Sequence, residues 1–289
     1  MFWTMKLARR GGLLGAGRAV FLGAALVVAP FASADTAPQR VVSINLCTDQ
    51  LAMMLAGPGQ LISVSYIGAD PMASAMAVEA QAYPLNHAQG EEVFRLAPDL
   101  VLAGTFSSTF TLGLLRRLGI EVAQFAPERS FDDLRANVRA MGAVLHREDA
   151  AEALLAQFEA DLAAVRVLAD TKPEALMHYA NNYTSGDASL AHEIVAAAGW
   201  SNAAVKAGFR GGAVPMELLV MLTPDLVISS QPYPGASRAE EVLRHPAMMA
   251  LREGTKRSAL SDAEWVCGTP HVLRAVARLA ALHPEGGGQ

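Results

Sequence analysis

The chain has 289 residues and a net charge of −5, with 52% hydrophobic and 18% charged residues. That apolar content excludes global disorder, and a mildly acidic chain argues against a nucleic-acid binder that works through a basic patch. Two cysteines are too few for a disulfide framework or a four-thiolate zinc site.

Residues 1–34 read as a secretory signal peptide. Lys6, Arg9, Arg10 and Arg18 form a positive start, residues 19–31 are apolar, and Ala32-Ser33-Ala34 supplies small residues for cleavage. The apolar run is too short to span roughly 30 Å of hydrocarbon, so a cleaved signal is expected rather than an anchor. Arg9-Arg10 hints at twin-arginine export, but the residues after the pair match that pattern poorly. The leader holds four positive charges and no acid, so its removal takes the net charge from −5 to −9. A soluble, acidic, exported protein is expected.

After the leader, short apolar runs alternate with helical patterns. The expected strands are 40–44, 61–65, 99–103, 121–125, 175–179, 225–229 and 257–260. The expected helices are 47–56, 91–96, 108–118, 131–145, 188–198, 215–222 and 269–282. Such alternation gives an α/β fold with largely parallel sheets. Leu100-Val101-Leu102 and Leu226-Val227-Ile228 read as strands buried on both faces. One stretch, 147–169, has no strand or turn signal. Its apolar residues Ala151, Leu154, Leu155, Phe158, Leu162 and Val165 fall at steps of three and four, which predicts one long amphipathic helix of roughly 35 Å ended by Thr171-Lys172-Pro173.

The two sides of that helix share a pattern. Glu91, Leu96, Pro98, Asp99, Leu100 and Val101 recur as Glu217, Leu222, Pro224, Asp225, Leu226 and Val227, at a constant offset of 126. Each copy reads as a short helix, a Pro-Asp turn and a buried strand. Arg40-Val41-Val42-Ser43-Ile44, the paired Pro-Asp-Leu-Val segments and the long helix together resemble the periplasmic binding proteins of ABC importers. The resemblance is to the helical-backbone class that binds cobalamin, ferric siderophores and haem, and most of all to its members that bind vitamin B12. It covers about residues 40–282.

The resemblance implies two Rossmann-like α/β lobes, 35–146 and 171–289, joined by a single helix over 147–170, with a ligand cleft between them. It implies a monomer in the periplasm that is not an enzyme. It also implies no cofactor or metal of its own, although the ligand itself contains cobalt or iron. The partners it implies are a corrinoid or iron chelate and an ABC permease dimer with its cytoplasmic ATPase. On the lobe tops, Glu91 and Glu217 are placed to dock on permease arginines. Carboxylates in the first turn of a helix are also favoured by the helix dipole.

The candidate cleft residues are Tyr66, Tyr83, His87 and Phe106 in the first lobe, and Tyr179, Asn181, Tyr183 and Trp265 in the second. Aromatic faces with a few polar anchors suit a large, partly apolar chelate, and loops beyond strand carboxyl ends line the crevice of such sheets. Tyr183-Thr184-Ser185-Gly186 is similar to an aromatic-Thr-Ser-Gly loop of the family. His87 is a candidate ligand for a metal carried by the chelate; a bare zinc or manganese site has no paired histidine spacing to support it. Cys47 and Cys267 lie near the cleft ends of their elements. A disulfide and two free buried thiols both remain open, and the family lends neither any support. Gly208-Phe209-Arg210-Gly211-Gly212 reads as a mobile loop.

A secreted enzyme is the competing class, but Gly-x-Ser-x-Gly, His-Glu-x-x-His and Gly-x-Gly-x-x-Gly are absent. A signalling or adhesive module of the same fold is a third. Among ligands a corrinoid is preferred, then a ferric siderophore, then haem, because Arg210 is the only obvious cleft arginine for an anion.

Overall fold

The computed structural model describes residues 36–235, 237–260 and 262–285; the expected signal peptide, 1–34, lies outside them. The first lobe contains strands β1 (Val41–Ser43), β2 (Leu61–Ser65), β3 (Leu85–Asn86), β4 (Leu100–Gly104) and β5 (Glu121–Phe125). They form one parallel sheet in the order β3-β2-β1-β4-β5. Its helices are α1 (Leu46–Leu55), α2 (Ala77–Ala80), α3 (Gly90–Arg95), α4 (Thr109–Arg117) and α5 (Phe131–Leu145). The order reverses between β1 and β4, the position where doubly wound sheets open a crevice.

After helix α6 (Glu148–Val165) the second lobe follows, with β6 (Glu174–His178), β7 (Tyr183–Thr184), β8 (Ser201–Asn202), β9 (Gly212–Ala213), β10 (Leu226–Ser230) and β11 (Lys256–Leu260). Four of these strands form a second parallel sheet in the order β11-β10-β6-β8, while β7 and β9 pair antiparallel. The helices are α7 (Leu190–Ala197), α8 (Ala203–Lys206), α9 (Met216–Val220), α10 (Arg238–Glu241), α11 (Pro246–Glu253), α12 (Asp262–Trp265) and α13 (Leu273–Ala280).

Both sheets are covered on two faces, which is why their strands are apolar without alternation. Val41, Leu100 and Leu102 enter the main core, whereas Val42, Val101 and Ala103 enter a second cluster with Leu112 and Leu115 of α4. In the second sheet, Ala175, Met177, Leu226 and Ile228 join the main core while Leu176 meets Ala203, Ala204 and Leu219 on the other face. The main core thus draws on both sheets.

The repeated Pro-Asp segment does the same job in each lobe. Asp99 accepts hydrogen bonds from the backbone N–H groups of Gln39 (2.7 Å) and Arg40 (2.9 Å), at the start of β1. Asp225 accepts one from the Glu174 N–H (2.8 Å), at the start of β6. Each aspartate therefore ties the central strand of its sheet to the neighbouring β4 or β10. Ala97 and Thr223, just before the two prolines, both turn to positive φ (46° and 42°), in keeping with the bar on right-handed helical geometry before proline.

Helix α6 buries Ala151, Leu155, Phe158 and Leu162 in the main core, the face expected from sequence. It is antiparallel to α5 and approaches it closely at Gly142, where an added Cβ would lie 2.6 Å from that of Ala151. The helix is shorter than the expected 147–170. Arg166 turns to extended geometry, and the Val167 N–H donates to the Ala197 carbonyl at the end of α7 (3.0 Å). A contact between distant segments ends it, ahead of the Thr-Lys-Pro signal. Among the described residues, no helix is long and apolar enough to cross a membrane.

Candidate ligand-binding cleft

The carboxyl ends of both sheets supply loops to one region between the lobes. From the first lobe come Asn45 after β1, the Tyr66–Ala69 turn after β2, His87 after β3 and Phe106 after β4. The second lobe supplies the loop after β6, Gln231-Pro232-Tyr233 after β10, and α12 after β11. The two sides touch. The Ala263 N–H donates to the Met72 carbonyl (3.2 Å), the Gly268 N–H to a Glu128 carboxylate oxygen (3.1 Å), and the Thr269 hydroxyl to Gln50 Oε1 (3.3 Å). Cys47 and Cys267 are disulfide-bonded across the same junction.

Aromatic side chains stand exposed around this junction. Tyr66 is 51% exposed, Phe106 87%, Tyr183 51% and Tyr233 40%. Tyr66 stacks on His87 with ring centroids 5.0 Å apart, and His87 Nδ1 lies 3.4 Å from Glu92. The Tyr233 hydroxyl donates to Asp262 (2.9 Å). Burial, Asp262 and Asp70 of the opposite lobe together push that phenol up to about 12. Asp70 and Asp262 therefore make the rim acidic.

Three of the expected cleft residues are part-buried or buried rather than exposed on the rim. Tyr83 precedes β3 and packs part-buried against the main core. Trp265 is only 8% exposed, and Tyr179 packs edge-on to it with centroids 5.5 Å apart. Burial raises the Tyr179 phenol well above its ordinary range, and its oxygen accepts a hydrogen bond from the Ser185 hydroxyl (3.3 Å). These two rings form the interior wall behind the exposed ones. Asn181 is exposed, in left-handed geometry (φ 56°), next to Asn182 (φ 57°).

The glycine-rich 208–212 segment is not the free loop expected from sequence. Gly212–Ala213 pairs with Tyr183–Thr184, and an added Cβ on Gly186 would meet the Arg210 carbonyl at 2.1 Å. The Thr-Ser-Gly turn and the glycine loop are thus packed against each other, with positive φ at Gly208, Gly211 and Gly212. Tyr233 escaped the sequence reading, although its place just beyond a buried strand, like that of Phe106, was the available signal.

Glu91 and Glu217 are exposed in the first turns of α3 and α9, with no ion pair among the described residues. A small, partly open hollow of about 80 Å³ lies at the junction, lined by Asn45, Cys47, Gly104, Phe106, Glu128 and Val266. It is too small for a drug-sized ligand. A larger concavity, about 620 Å³, sits at the opposite, amino-terminal ends of β6, β10 and β11, beside Pro173, Asp225 and Lys256. None of the exposed aromatic residues of the junction lines it. Among the described residues, no three His, Cys, Asp or Glu side chains converge to hold a metal ion.

Two α/β lobes with facing strand ends, a helix packed between them and an aromatic mouth define a two-lobed solute-binding architecture. Residues 41–253 match the model of the periplasmic binding protein family, and the chain belongs to that family. By sequence, no curated protein matches. The fold is similar to the haem-binding protein RhuT of Roseiflexus sp. RS-1 (23% identity, TM-score 0.68, covering 84% of this chain and 96% of that one). It is also similar to the vitamin B12-binding protein BtuF of Vibrio cholerae (18%, 0.63, 87% and 99%). A third is a protein of an Fe3+-hydroxamate transport system from Saccharomonospora viridis (19%, 0.63, 88% and 95%). At these identities the likeness establishes the fold.

Proposed function

We propose that the protein is the periplasmic solute-binding component of an ABC importer and that it captures a corrinoid of the cobalamin type. The observation that carries the ligand class is the rim: exposed aromatic faces on both lobes stand with Asp70 and Asp262, whose charges act on the Tyr233 phenol, and Arg210 is exposed on the glycine loop. Such a surface favours flat, polarisable faces bordered by hydrogen-bonding groups and disfavours clustered anionic groups. A corrinoid ring, edged with carboxamides, has that chemistry. Haem is the second reading, because Tyr66 and His87 stand exposed side by side and both residue types ligate haem iron.

Titration of the protein with aquocobalamin, hemin and a ferric hydroxamate, followed by tryptophan fluorescence and by the absorption of each compound, tests this. Saturable quenching by aquocobalamin is expected, and Tyr66→Ala is expected to weaken it by about 2–10-fold, the value of one aromatic stack. No response to aquocobalamin, with a shifted hemin Soret band, would assign haem instead.

Delivery is read from the lobe tops. Glu91 and Glu217 are equivalent in the repeat, exposed and free of ion pairs among the described residues, so they are suited to charge-assisted hydrogen bonds with permease arginines. The double reversal Glu91→Arg/Glu217→Arg is expected to abolish uptake in cells while leaving affinity in solution unchanged. Normal uptake by that variant would remove the docking assignment.

A further inference from the structure

We propose that His178, Asn182 and Arg252 form a relay that holds the ligand loop 179–183 in its left-handed shape, and that protonation of His178 releases it. The inference rests on the proposed function in taking that loop as a ligand surface.

His178 ends β6 and is wholly buried. Its Nε2 lies 2.9 Å from Asn182 Oδ1, so Nε2 carries a proton and donates to the amide oxygen. Nδ1 is then a bare acceptor, 3.4 Å from Nη2 of Arg252 on α11, which donates to it. The ring is held neutral, in one tautomer, between a donor and an acceptor. Burial, with the guanidinium beside it, keeps the imidazole below its ordinary range.

Two features of the surroundings bear on this relay. Asn181 and Asn182 are consecutive non-glycine residues at positive φ (56° and 57°), a strained arrangement that persists only where surrounding contacts impose it. Asn182 is held by His178 through its side chain and by the Val214 N–H through its carbonyl (3.1 Å). The second feature is Arg252 itself. It is half-buried, Nη1 donates to the Leu243 carbonyl (2.9 Å), and Nε has no partner. Among the described residues, no carboxylate pairs with it or with His178; the other charge acting on it is Arg257, a like charge. A desolvated cation without an anion is costly. Its contact with His178 gives it a role, since a guanidinium donor demands the unprotonated Nδ1.

Protonated His178 would turn Nδ1 into a donor and set two cations 3.4 Å apart. One contact of the relay must then break, and the strain at Asn181 and Asn182 is no longer opposed. The exposed Tyr183 and the Tyr179 edge against Trp265 move with the loop. His178, Asn182 and Arg252 are positioning residues: none of them need touch ligand.

The test uses the ligand-free protein first. Amide exchange at Tyr179 and Val214, whose N–H groups donate to Tyr183 and Asn182 and close the loop, is followed from about pH 7.5 to pH 5, a range that brackets histidine titration. Wild-type protection, corrected for intrinsic exchange, is expected to fall by about tenfold per pH unit once the imidazole titrates. His178→Gln, which keeps one donor and one acceptor but no titration, is expected to hold protection flat. Asn182→Gly, which keeps the backbone shape and loses the side-chain acceptor, is expected to lose protection at every pH; at this half-buried position it keeps the test decisive should His178→Gln fail to fold. Identical pH profiles for wild type and His178→Gln, or unchanged protection in Asn182→Gly, would overturn the relay. In a second arm, aquocobalamin affinity is expected to fall with pH for wild type and to stay level for His178→Gln. Absence of aquocobalamin binding alongside the expected exchange pattern supports the relay and removes only the corrinoid assignment.

Discussion

Replacing Cys47 and Cys267 together by alanine is expected to destabilise the protein by about 2–5 kcal/mol, a fall in melting temperature of about 4–20 °C. The bond closes a loop of 220 residues, and the loop-entropy model puts the limit for such a loop near 5 kcal/mol. Alanine is the appropriate replacement because Cys267 is buried and a serine hydroxyl there would need a partner. The variant should fold, since other bonds cross the same junction: Gly268 to Glu128, Thr269 to Gln50 and Ala263 to Met72. The bond also ties the start of α1 to the segment that carries Val266, at the base of the aromatic mouth. Its loss is therefore expected to widen the range of lobe separations and to weaken ligand binding more than it weakens the secondary structure. Thermal unfolding by circular dichroism, with reduced wild-type protein as the second reference, measures the stability term. A melting temperature within 2 °C of the oxidised parent, well below the range given by the size scaling, would remove the disulfide as a structural clamp.

The elements that were legible before any coordinates are those whose burial is written into local sequence. The runs at 100–102 and 226–228 are apolar on both faces because helices cover both faces of the sheet, and they stood out for that reason. The strands at 85–86, 183–184, 201–202 and 212–213 are two residues long. They exist through pairing with neighbours, and two residues carry no periodicity. Helix α11 escaped notice because only Met248 is buried along it, although Pro246 and His245 mark its start. The positions of Tyr66 and Phe106 at strand ends were readable from the apolar runs that precede them. Tyr83 and His87 were placed only by the helix they precede, because the brief strand between them could not be seen. The His178–Arg252 contact joins residues 74 apart and has no local signature at all. The equivalence of Asp99 and Asp225 was readable as a repeated phrase, but its purpose, tying down β1 and β6, needed the sheet order.

Asp49→Asn is expected to stabilise the protein by about 2–3 kcal/mol more at pH 8 than at pH 5, because the penalty of ionising a buried carboxylate grows by about 1.4 kcal/mol per pH unit between its ordinary and its raised value. Asp49 lies in the first turn of α1 with no exposed surface. It accepts hydrogen bonds from the Ser65 N–H (3.1 Å) and the Ser65 hydroxyl, directly beneath the turn that presents Tyr66. Burial pushes its carboxyl up to about 7 from an ordinary 3.8, against the opposing pull of hydrogen bonds from Ser43 and Ser65. The folded state therefore holds the proton more tightly than the unfolded chain does. The stability this confers is fully present below pH 3.8 and is lost as pH rises through about 7. Asparagine removes the titration and keeps the geometry, since its amide oxygen can accept from the Ser65 N–H and its NH2 can donate to the Ser65 hydroxyl. His178 gives the opposite trend: its value is lowered by burial, so its contribution is lost as pH falls below the ordinary histidine range. Comparing variant with parent at each pH cancels that term. Urea unfolding at pH 5 and pH 8 supplies both differences. Equal differences at the two values would show that Asp49 is already ionised at pH 5 in the folded protein, and the buried carboxyl would then play no part in setting the pH dependence of the turn that carries Tyr66.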